Sequence, residues 1–373
     1  MGRILFADSW TDLGGGQRLL LDLVDHLGAA GHVCGVAFPG AGPVRERLDE
    51  RGVRTFDYAL PAMPAGSKTL GDRARFLAGS RGAAASLAEV GRQLGAELLF
   101  CMGGRPALPV VLAARRLGVP AVCSVQLIYR GAERRLLGWC FSRPEMAAVT
   151  FCSTSAAAPF GSLDGKAELV PNWVSPKFLE APLPSVAEGD SMVVGVLGRL
   201  SRTKGQRLFL DALLPLLAGE PRLRLTIGGA TDFEDPREED HLRRLVEESG
   251  HADRVEFQGA VDALEFLDAL DVLVVPSLWE EPFGLVAVEG MARGLSVVAT
   301  RSGALPELVA DGETGLLVER DAGDLRAAVS RLVADPGLRS ELGAAGRRRV
   351  EERFAPGRQL PLVAGLVERA LAE

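Results

Sequence analysis

The chain has 373 residues, 47% apolar and 24% charged, enough for two domains that each bury a core. No apolar run approaches the roughly 20 residues of a membrane-spanning helix, and MGRILFAD reads as a first strand rather than a signal peptide, so a cytoplasmic protein is expected. The net charge of −7 is uneven: residues 1–172 carry 19 Lys and Arg against 15 Asp and Glu, and the remainder 23 against 34. No dense basic stripe with interleaved aromatics marks a nucleic-acid partner.

RILFAD, residues 3–8, predicts the first strand, and TDLGGGQRLLLDLV, residues 11–24, sets three glycines ahead of an amphipathic helix. A dinucleotide fingerprint needs G-x-G-x-x-G placed tightly between strand and helix. Here the spacing fails and a loop, Asp8 to Leu13, intervenes, so an NAD-dependent dehydrogenase is disfavoured. HVCGVAF, ELLFCM, PAVCSV and AAVTFCS continue the strands, separated by helical or loop segments. PNWVSPKFLEAPLPSVAEGD, residues 171–190, has four prolines and no clean periodicity and reads as an interdomain linker. The rhythm then restarts with MVVGVLG, RLTIGGA, RVEFQG, DVLVVPS, SVVAT and TGLLV. Near-continuous apolar strands alternating with helices predict two parallel sheets covered on both faces, with ligands at the strands' carboxyl ends. Five cysteines, at 34, 101, 123, 140 and 152, show no C-x-x-C spacing, which fits reduced thiols rather than a zinc site or disulfide framework.

Two segments carry the chemistry. In VVGVLGRLSRTKGQRLFLDALLPLL, residues 193–217, Arg199 and Lys204 bracket one strand-to-helix loop, an arrangement that suits a diphosphate. Basic residues near strand ends are also commonly just solvated. In PSLWEEPFGLVAVEGMARGLSVVATRSGALPELVADGETGLLV, residues 276–318, a strand ends, Glu280 and Glu281 follow, and a helix starts near Gly284 with Glu289 in its second turn. The opening turn of that helix is a ready anion site. A buried strand followed by a helix with surface glutamates is the plain alternative.

GRLSRTKG, PNWVSPKF, EEPFGLVAVEGMARG and GALPELVADGETGLLV, in this order and spacing, resemble the retaining GT-B glycosyltransferases of family 4, the group 1 family. Glu281 and Glu289 match that family's E-x7-E signature. The resemblance implies an α/β fold of GT-B architecture, two Rossmann-like domains with parallel sheets facing a central cleft. Residues 1–172 would form the N-terminal acceptor-binding domain and 173–353 the C-terminal sugar-nucleotide-binding domain, with 354–373 a helix returning to the first. It implies transfer of a sugar from a nucleotide diphosphate-sugar to an acceptor hydroxyl, with retention at the anomeric carbon and no cofactor or metal. Arg199 and Lys204 match the pair that holds the donor diphosphate, Glu289 the carboxylate on the ribose hydroxyls, and Glu281 the one facing the donor sugar. The amides of Phe283, Gly284 and Leu285 would meet sugar and phosphate, Gln258 would lie by the nucleobase, and Gly15 and Gly16 would approach the donor phosphates. Many family members carry a histidine after the strand matching PAVCSV; Gln126 stands there in this chain. The family's favoured account has the leaving phosphate deprotonate the acceptor, which leaves room for a glutamine.

The acceptor is not legible; a natural product, a glycolipid and a polysaccharide all fit. YRGAERRLLGWCFSR, residues 129–143, with Arg73, Arg75 and Arg81, allows peripheral contact with the inner face of an anionic membrane, a phosphorylated acceptor, or a helix packing its apolar side on the sheet. CMGGRP, residues 101–106, is a second glycine loop, near the acceptor or a plain helix entry. The acidic run DFEDPREED, residues 232–240, reads as a solvated loop and helix start rather than a cation site, and the four histidines as structural or exposed. The Gly-, Ala- and Arg-rich composition suggests a high-GC bacterial source. A sugar-nucleotide epimerase on the same fold and a non-catalytic glycosyltransferase-like binding subunit are the competing functions; oligomeric state is not written in the sequence.

Overall fold

Apolar runs without polar alternation need cover on both faces, and in the computed structural model, which describes residues 1–63, 69–184, 191–231 and 236–372, they form two parallel sheets. The chain divides into two units, Met1–Trp173 with Gly357–Glu373, and Val174–Pro356. Residues 185–190 of the predicted linker and 232–235 of the acidic run lie outside the described residues.

The first unit holds seven strands: β1 (Arg3–Ala7), β2 (Val33–Phe38), β3 (Arg54–Asp57), β4 (Leu98–Met102), β5 (Ala121–Val125), β6 (Met146–Phe151) and β7 (Ala167–Leu169). Their order is β3-β2-β1-β4-β5-β6-β7, so the winding reverses between β1 and β4. Register across that pair sets Phe6 beside Phe100, with ring centroids 4.9 Å apart. The edge strands β3 and β7 escape the pattern reading because RTFD and AEL are short and nowhere fully buried. In the Pro356–Ala372 helix, Arg369 pairs with Glu168 of β7 at 2.6 Å.

The second unit holds β8 (Met192–Leu197), β9 (Leu223–Gly228), β10 (Val255–Gly259), β11 (Val272–Val275), β12 (Ser296–Thr300) and β13 (Leu316–Val318), in the order β10-β9-β8-β11-β12-β13. The reversal falls between β8 and β11, the strands that lead into the two chemistry-bearing segments. The Gln206–Leu213 helix lays Phe209, Leu210 and Leu213 on the sheet beside Val194, Val196 and Val274. Each such side chain contributes roughly 1.5–3 kcal/mol by leaving water.

Within the predicted linker lies a short helix, Pro176–Glu180, tied down by one buried cation. Arg293 meets both carboxylate oxygens of Asp268, at 2.6 and 3.1 Å, and donates to the carbonyls of Phe178, Ala181 and Pro182. Arginine suits this place because its planar fork presents five donors at once. Arg293→Met leaves three carbonyls and a carboxylate without their donors. It is expected to destabilise the second unit by about 3–5 kcal/mol, read from the urea midpoint. A change under about 1 kcal/mol would show the network to be dispensable.

Candidate functional site

A buried carboxylate organises the carboxyl ends of β8 and β11. Glu281, in the loop after β11, is 6% exposed. Its Oε1 accepts from Lys204 Nζ at 2.5 Å and from Ser277 Oγ at 2.7 Å. Burial pushes the Glu281 carboxyl up, but the charge and hydrogen bond of Lys204, with the hydrogen bonds of Ser277 and Trp279, outweigh it and hold the group below its ordinary range. Glu281 is therefore ionised near neutrality, inside a pair whose charges offset each other.

Lys204 reaches it because the chain folds back at the end of β8. A single turn, Arg202–Lys204, leads to Gly205, whose φ of 78° lies in the left-handed region. A Cβ at Gly205 would stand 1.9 Å from the Pro276 carbonyl oxygen, so only glycine lets this turn pack on the end of β11. The Leu278 amide then donates to the Thr203 carbonyl at 2.9 Å, joining the two loops.

The rest of the glutamate loop is pinned from several sides. Thr300 Oγ1 donates to the Ser277 carbonyl at 2.8 Å, Arg320 Nη1 to that of Leu278 at 3.0 Å, and the Ala304 amide to that of Glu281 at 2.8 Å. Ser302 Oγ donates to the Trp279 carbonyl. Trp279 itself is 40% exposed, with Lys204 Nζ 5.8 Å from its ring centroid. None of Thr300, Ser302 or Arg320 announces itself in the sequence, because a carbonyl clamp has no motif.

The Leu285–Ala292 helix starts directly after this loop, with Gly284 (φ 114°) ahead of it and Leu285 its first residue. Its leading amides lack intrahelical partners and carry the positive end of the dipole. Phe283 is buried edge-on against Phe354, ring centroids 5.7 Å apart, so its side chain belongs to the core. Glu289, in the second turn, is 5% exposed. Arg199 follows β8 with its side chain exposed, and Gln258 is exposed on the edge strand β10, donating to Glu256 at 3.2 Å. Thus Arg199, Lys204, Glu281, Phe283, Gly284, Leu285 and Glu289 stand on the segments leaving two adjacent strands, and Lys204 and Glu281 are in contact. Cations, a carboxylate and helix amides in one place fit an anionic ligand that also carries hydroxyls.

Gly15, Gly16 and Gln126 lie in the first unit. Gly14 precedes the Gly15–Ala29 helix, and Gly15 and Gly16 are its first two residues, so the glycines open a helix rather than forming a loop. Gln126, after β5, donates from Nε2 to Ser124 Oγ and accepts at Oε1 from Asn172 Nδ2, both at 2.8 Å. The Gly104 amide in CMGGRP donates to the Tyr129 hydroxyl at 3.0 Å. The Gly131–Phe141 helix buries Leu137, Cys140 and Phe141 and leaves Trp139 exposed, with Arg143 over its ring at 4.7 Å. Among the described residues no group of three or more His, Cys, Asp or Glu side chains is placed to hold a metal ion, and no helix is long and apolar enough to cross a membrane.

The pattern reading also missed Asp8, buried at the end of β1. It accepts from the amides of Ser9 and Trp10, at 2.5 and 3.1 Å, and from Gln17 Nε2 at 3.2 Å, tying strand end to helix start. Burial pushes its carboxyl up to about 6 against those hydrogen bonds. The native chain thus keeps a proton that the unfolded chain loses near 3.8, and stability falls as pH rises from about 4 to 6. Asp8→Asn is expected to remove up to about 3 kcal/mol of that slope, checked by urea unfolding across this range. A variant with the same slope would place the titration elsewhere.

Comparisons with known proteins match both units. The family described as "Glycosyl transferases group 1" matches residues 191–335, and that described as "Glycosyl transferase 4-like domain" matches residues 14–173. The lipopolysaccharide core biosynthesis mannosyltransferase LpsB of Rhizobium meliloti (strain 1021) is 32% identical over 259 residues, 65% of this chain and 72% of that protein. The D-inositol 3-phosphate glycosyltransferase of Corynebacterium jeikeium (strain K411) is 40% identical over 157 residues, 40% of this chain. The matched part spans only 37% of that relative's length. Among solved structures, Anabaena Alr3699/HepE in complex with UDP-glucose superposes with a TM-score of 0.83 at 19% identity, covering 99% of this chain and 100% of that one. The sucrose-phosphate synthase of Thermosynechococcus elongatus superposes with a TM-score of 0.79 at 22% identity, covering all of both chains. At these identities the superpositions speak for the fold, which is GT-B.

Proposed function

The chain belongs to the group 1 glycosyltransferases, family 4 of the GT-B fold, and on that premise we propose that it moves a sugar from a nucleotide diphosphate-sugar to an acceptor hydroxyl with retention of configuration. The observation that carries this reading is the Lys204–Glu281 contact at the carboxyl end of β11, directly ahead of a helix N-terminus. As the glycosidic bond to the diphosphate breaks, negative charge grows on the leaving phosphate and positive character on the anomeric carbon. Arg199, Lys204 and the amides of Phe283, Gly284 and Leu285 offset the first, and their prior placement is where such catalysis originates. Glu281 faces the donor sugar, Glu289 takes the ribose hydroxyls, and Gln258 lies by the base. The reaction in this form draws its positive charge from the protein, without a metal ion or a cofactor.

The acceptor proton goes to the leaving phosphate, a route that asks of Gln126 only hydrogen bonding. The acceptor class stays as broad as the sequence leaves it, a natural product, glycolipid or polysaccharide. Residues 1–172 are read as its domain, with the exposed Trp139 and Arg135 available for peripheral contact with a membrane. The LpsB mannosyltransferase and the D-inositol 3-phosphate glycosyltransferase support a hydroxyl-bearing acceptor without choosing between these classes. A non-catalytic binding subunit is a second reading, favoured by one residue, the glutamine at 126.

Calorimetric titration with UDP, GDP, ADP, TDP and NAD tests both. The wild type is expected to bind one nucleoside diphosphate, and Glu289→Ala to bind it about 10- to 100-fold more weakly through loss of charge-assisted hydrogen bonds. Donor consumption with product formation, reduced by Glu281→Gln, separates transferase from binding subunit. Preferential NAD binding, or no diphosphate binding by folded protein, would overturn the proposal.

A further inference from the structure

Two adjacent large apolar side chains face solvent from the loop after β11: Leu278 is 38% exposed and Trp279 40%. An indole is one of the largest apolar groups a chain can bury, and here it stays partly in water at a strand end of the kind where ligands of parallel sheets bind. The loop that carries it is not slack. The Trp279 carbonyl accepts from Ser302 Oγ, and the Leu278 carbonyl before it from Arg320 Nη1 at 3.0 Å.

The ring itself is held by the charged pair. The Trp279 side chain donates a hydrogen bond to the Glu281 carboxylate, and Lys204 Nζ stands 5.8 Å from the ring centroid, within reach of cation–π attraction. Lys204 is in turn fixed on Glu281 Oε1. A partly exposed aromatic ring is thus held from its N–H edge by a buried carboxylate, with a cation close by. Its orientation is set before any ligand arrives, so little side-chain freedom is left to lose on contact.

A pyranose ring is amphipathic in a matching way. Its hydroxyls lie mainly around the rim, where a carboxylate can accept from them. Its axial C–H bonds form an apolar face, and their slightly positive hydrogens suit the negative face of an aromatic ring. Glu281 and Trp279 offer both kinds of contact side by side. A free diphosphate uses neither, since its oxygens seek cations and amides.

We infer that Trp279 is the platform on which the sugar ring of the donor stacks, an inference that rests on reading Glu281 as the carboxylate facing that sugar. Trp279 then distinguishes a nucleotide sugar from the nucleoside diphosphate alone.

The test is calorimetric titration of Trp279→Leu and Trp279→Phe with UDP, GDP, ADP and TDP, and with UDP-glucose, GDP-mannose, ADP-glucose and TDP-glucose. Tm is measured for every variant. Both substitutions take a donor from a buried carboxylate, so both are expected to lower Tm, and only leucine also removes the aromatic ring. For the base that the wild type prefers, affinity for the nucleotide sugar relative to the free diphosphate is expected to fall about tenfold in Trp279→Leu and less than about threefold in Trp279→Phe. Trp279→Gln keeps an N–H donor without a ring; it is expected to match the fall in Trp279→Leu and takes its place should leucine prevent folding. An unchanged ratio in Trp279→Leu, or equal falls with leucine and phenylalanine, would overturn the platform. A wild type that binds a diphosphate but none of the four nucleotide sugars would overturn this inference and leave the diphosphate site standing. One that binds no diphosphate would overturn the proposed function and this inference with it.

Discussion

A carboxylate almost fully removed from water at the end of a parallel strand dictates what surrounds it. Glu281 stays ionised because the charge and hydrogen bond of Lys204, with the hydrogen bonds of Ser277 and Trp279, outweigh its burial. Lys204 reaches it only because the turn at Gly205 packs against the Pro276 carbonyl, which in turn requires β8 and β11 to be neighbours. The carbonyl clamps from Thr300, Ala304 and Arg320 then leave the loop one path into the Leu285–Ala292 helix. Charge, loop course and helix start are one arrangement, and a ligand that meets it finds oriented groups with little left to reorganise.

The first unit shows what the same burial does without a cation. Asp8 also ends a strand at the point where its sheet reverses, between β1 and β4. Its partners are two amides and the Gln17 side chain, all neutral, and burial wins: the carboxyl rises to about 6. Glu281 is buried too, though slightly less completely, and moves the other way because Lys204 adds a full charge at contact distance. Burial raises both carboxyls, and the cation beside Glu281 is what Asp8 lacks. Asp8 reads as the tie between β1 and its helix, whereas Glu281 belongs to a charged pair that a second anion can compete for.

Much of this was legible in the sequence. The central strands announced themselves as uninterrupted apolar runs, and the reversal of winding placed Arg199, Lys204, Glu281 and Glu289 after two adjacent strands, where ligands of such sheets bind. The edge strands were not legible, since one open side lets RTFD and AEL carry polar residues. The sequence sets Gly15 and Gly16 ahead of an amphipathic helix, and glycine is a poor helix former. At a helix start, where the first amides have no helical partner in any case, that penalty matters less, and the glycines lie inside the helix. Thr300, Ser302 and Arg320 were invisible for a different reason: their partners are carbonyls, and sequence does not say which carbonyl a donor will find.

On the proposed reading, in which Gln126 stands where many family members carry a histidine, a single departure from the family pattern has limited reach. One N–H of its amide is given to Ser124 and its oxygen accepts from Asn172, so both ends are oriented by neutral neighbours. Neither end takes up a proton near neutrality, whereas an imidazole at this place would change charge between about pH 5 and 8. A transferase that needed a base here would have lost its chemistry with the substitution. One in which the leaving phosphate accepts the proton loses only a titrating neighbour. The glutamine is therefore compatible with catalysis for the same reason that the cations of the second unit matter: in the proposed reaction the charge that must be managed is on the departing diphosphate, and that is where this chain concentrates its ordered donors.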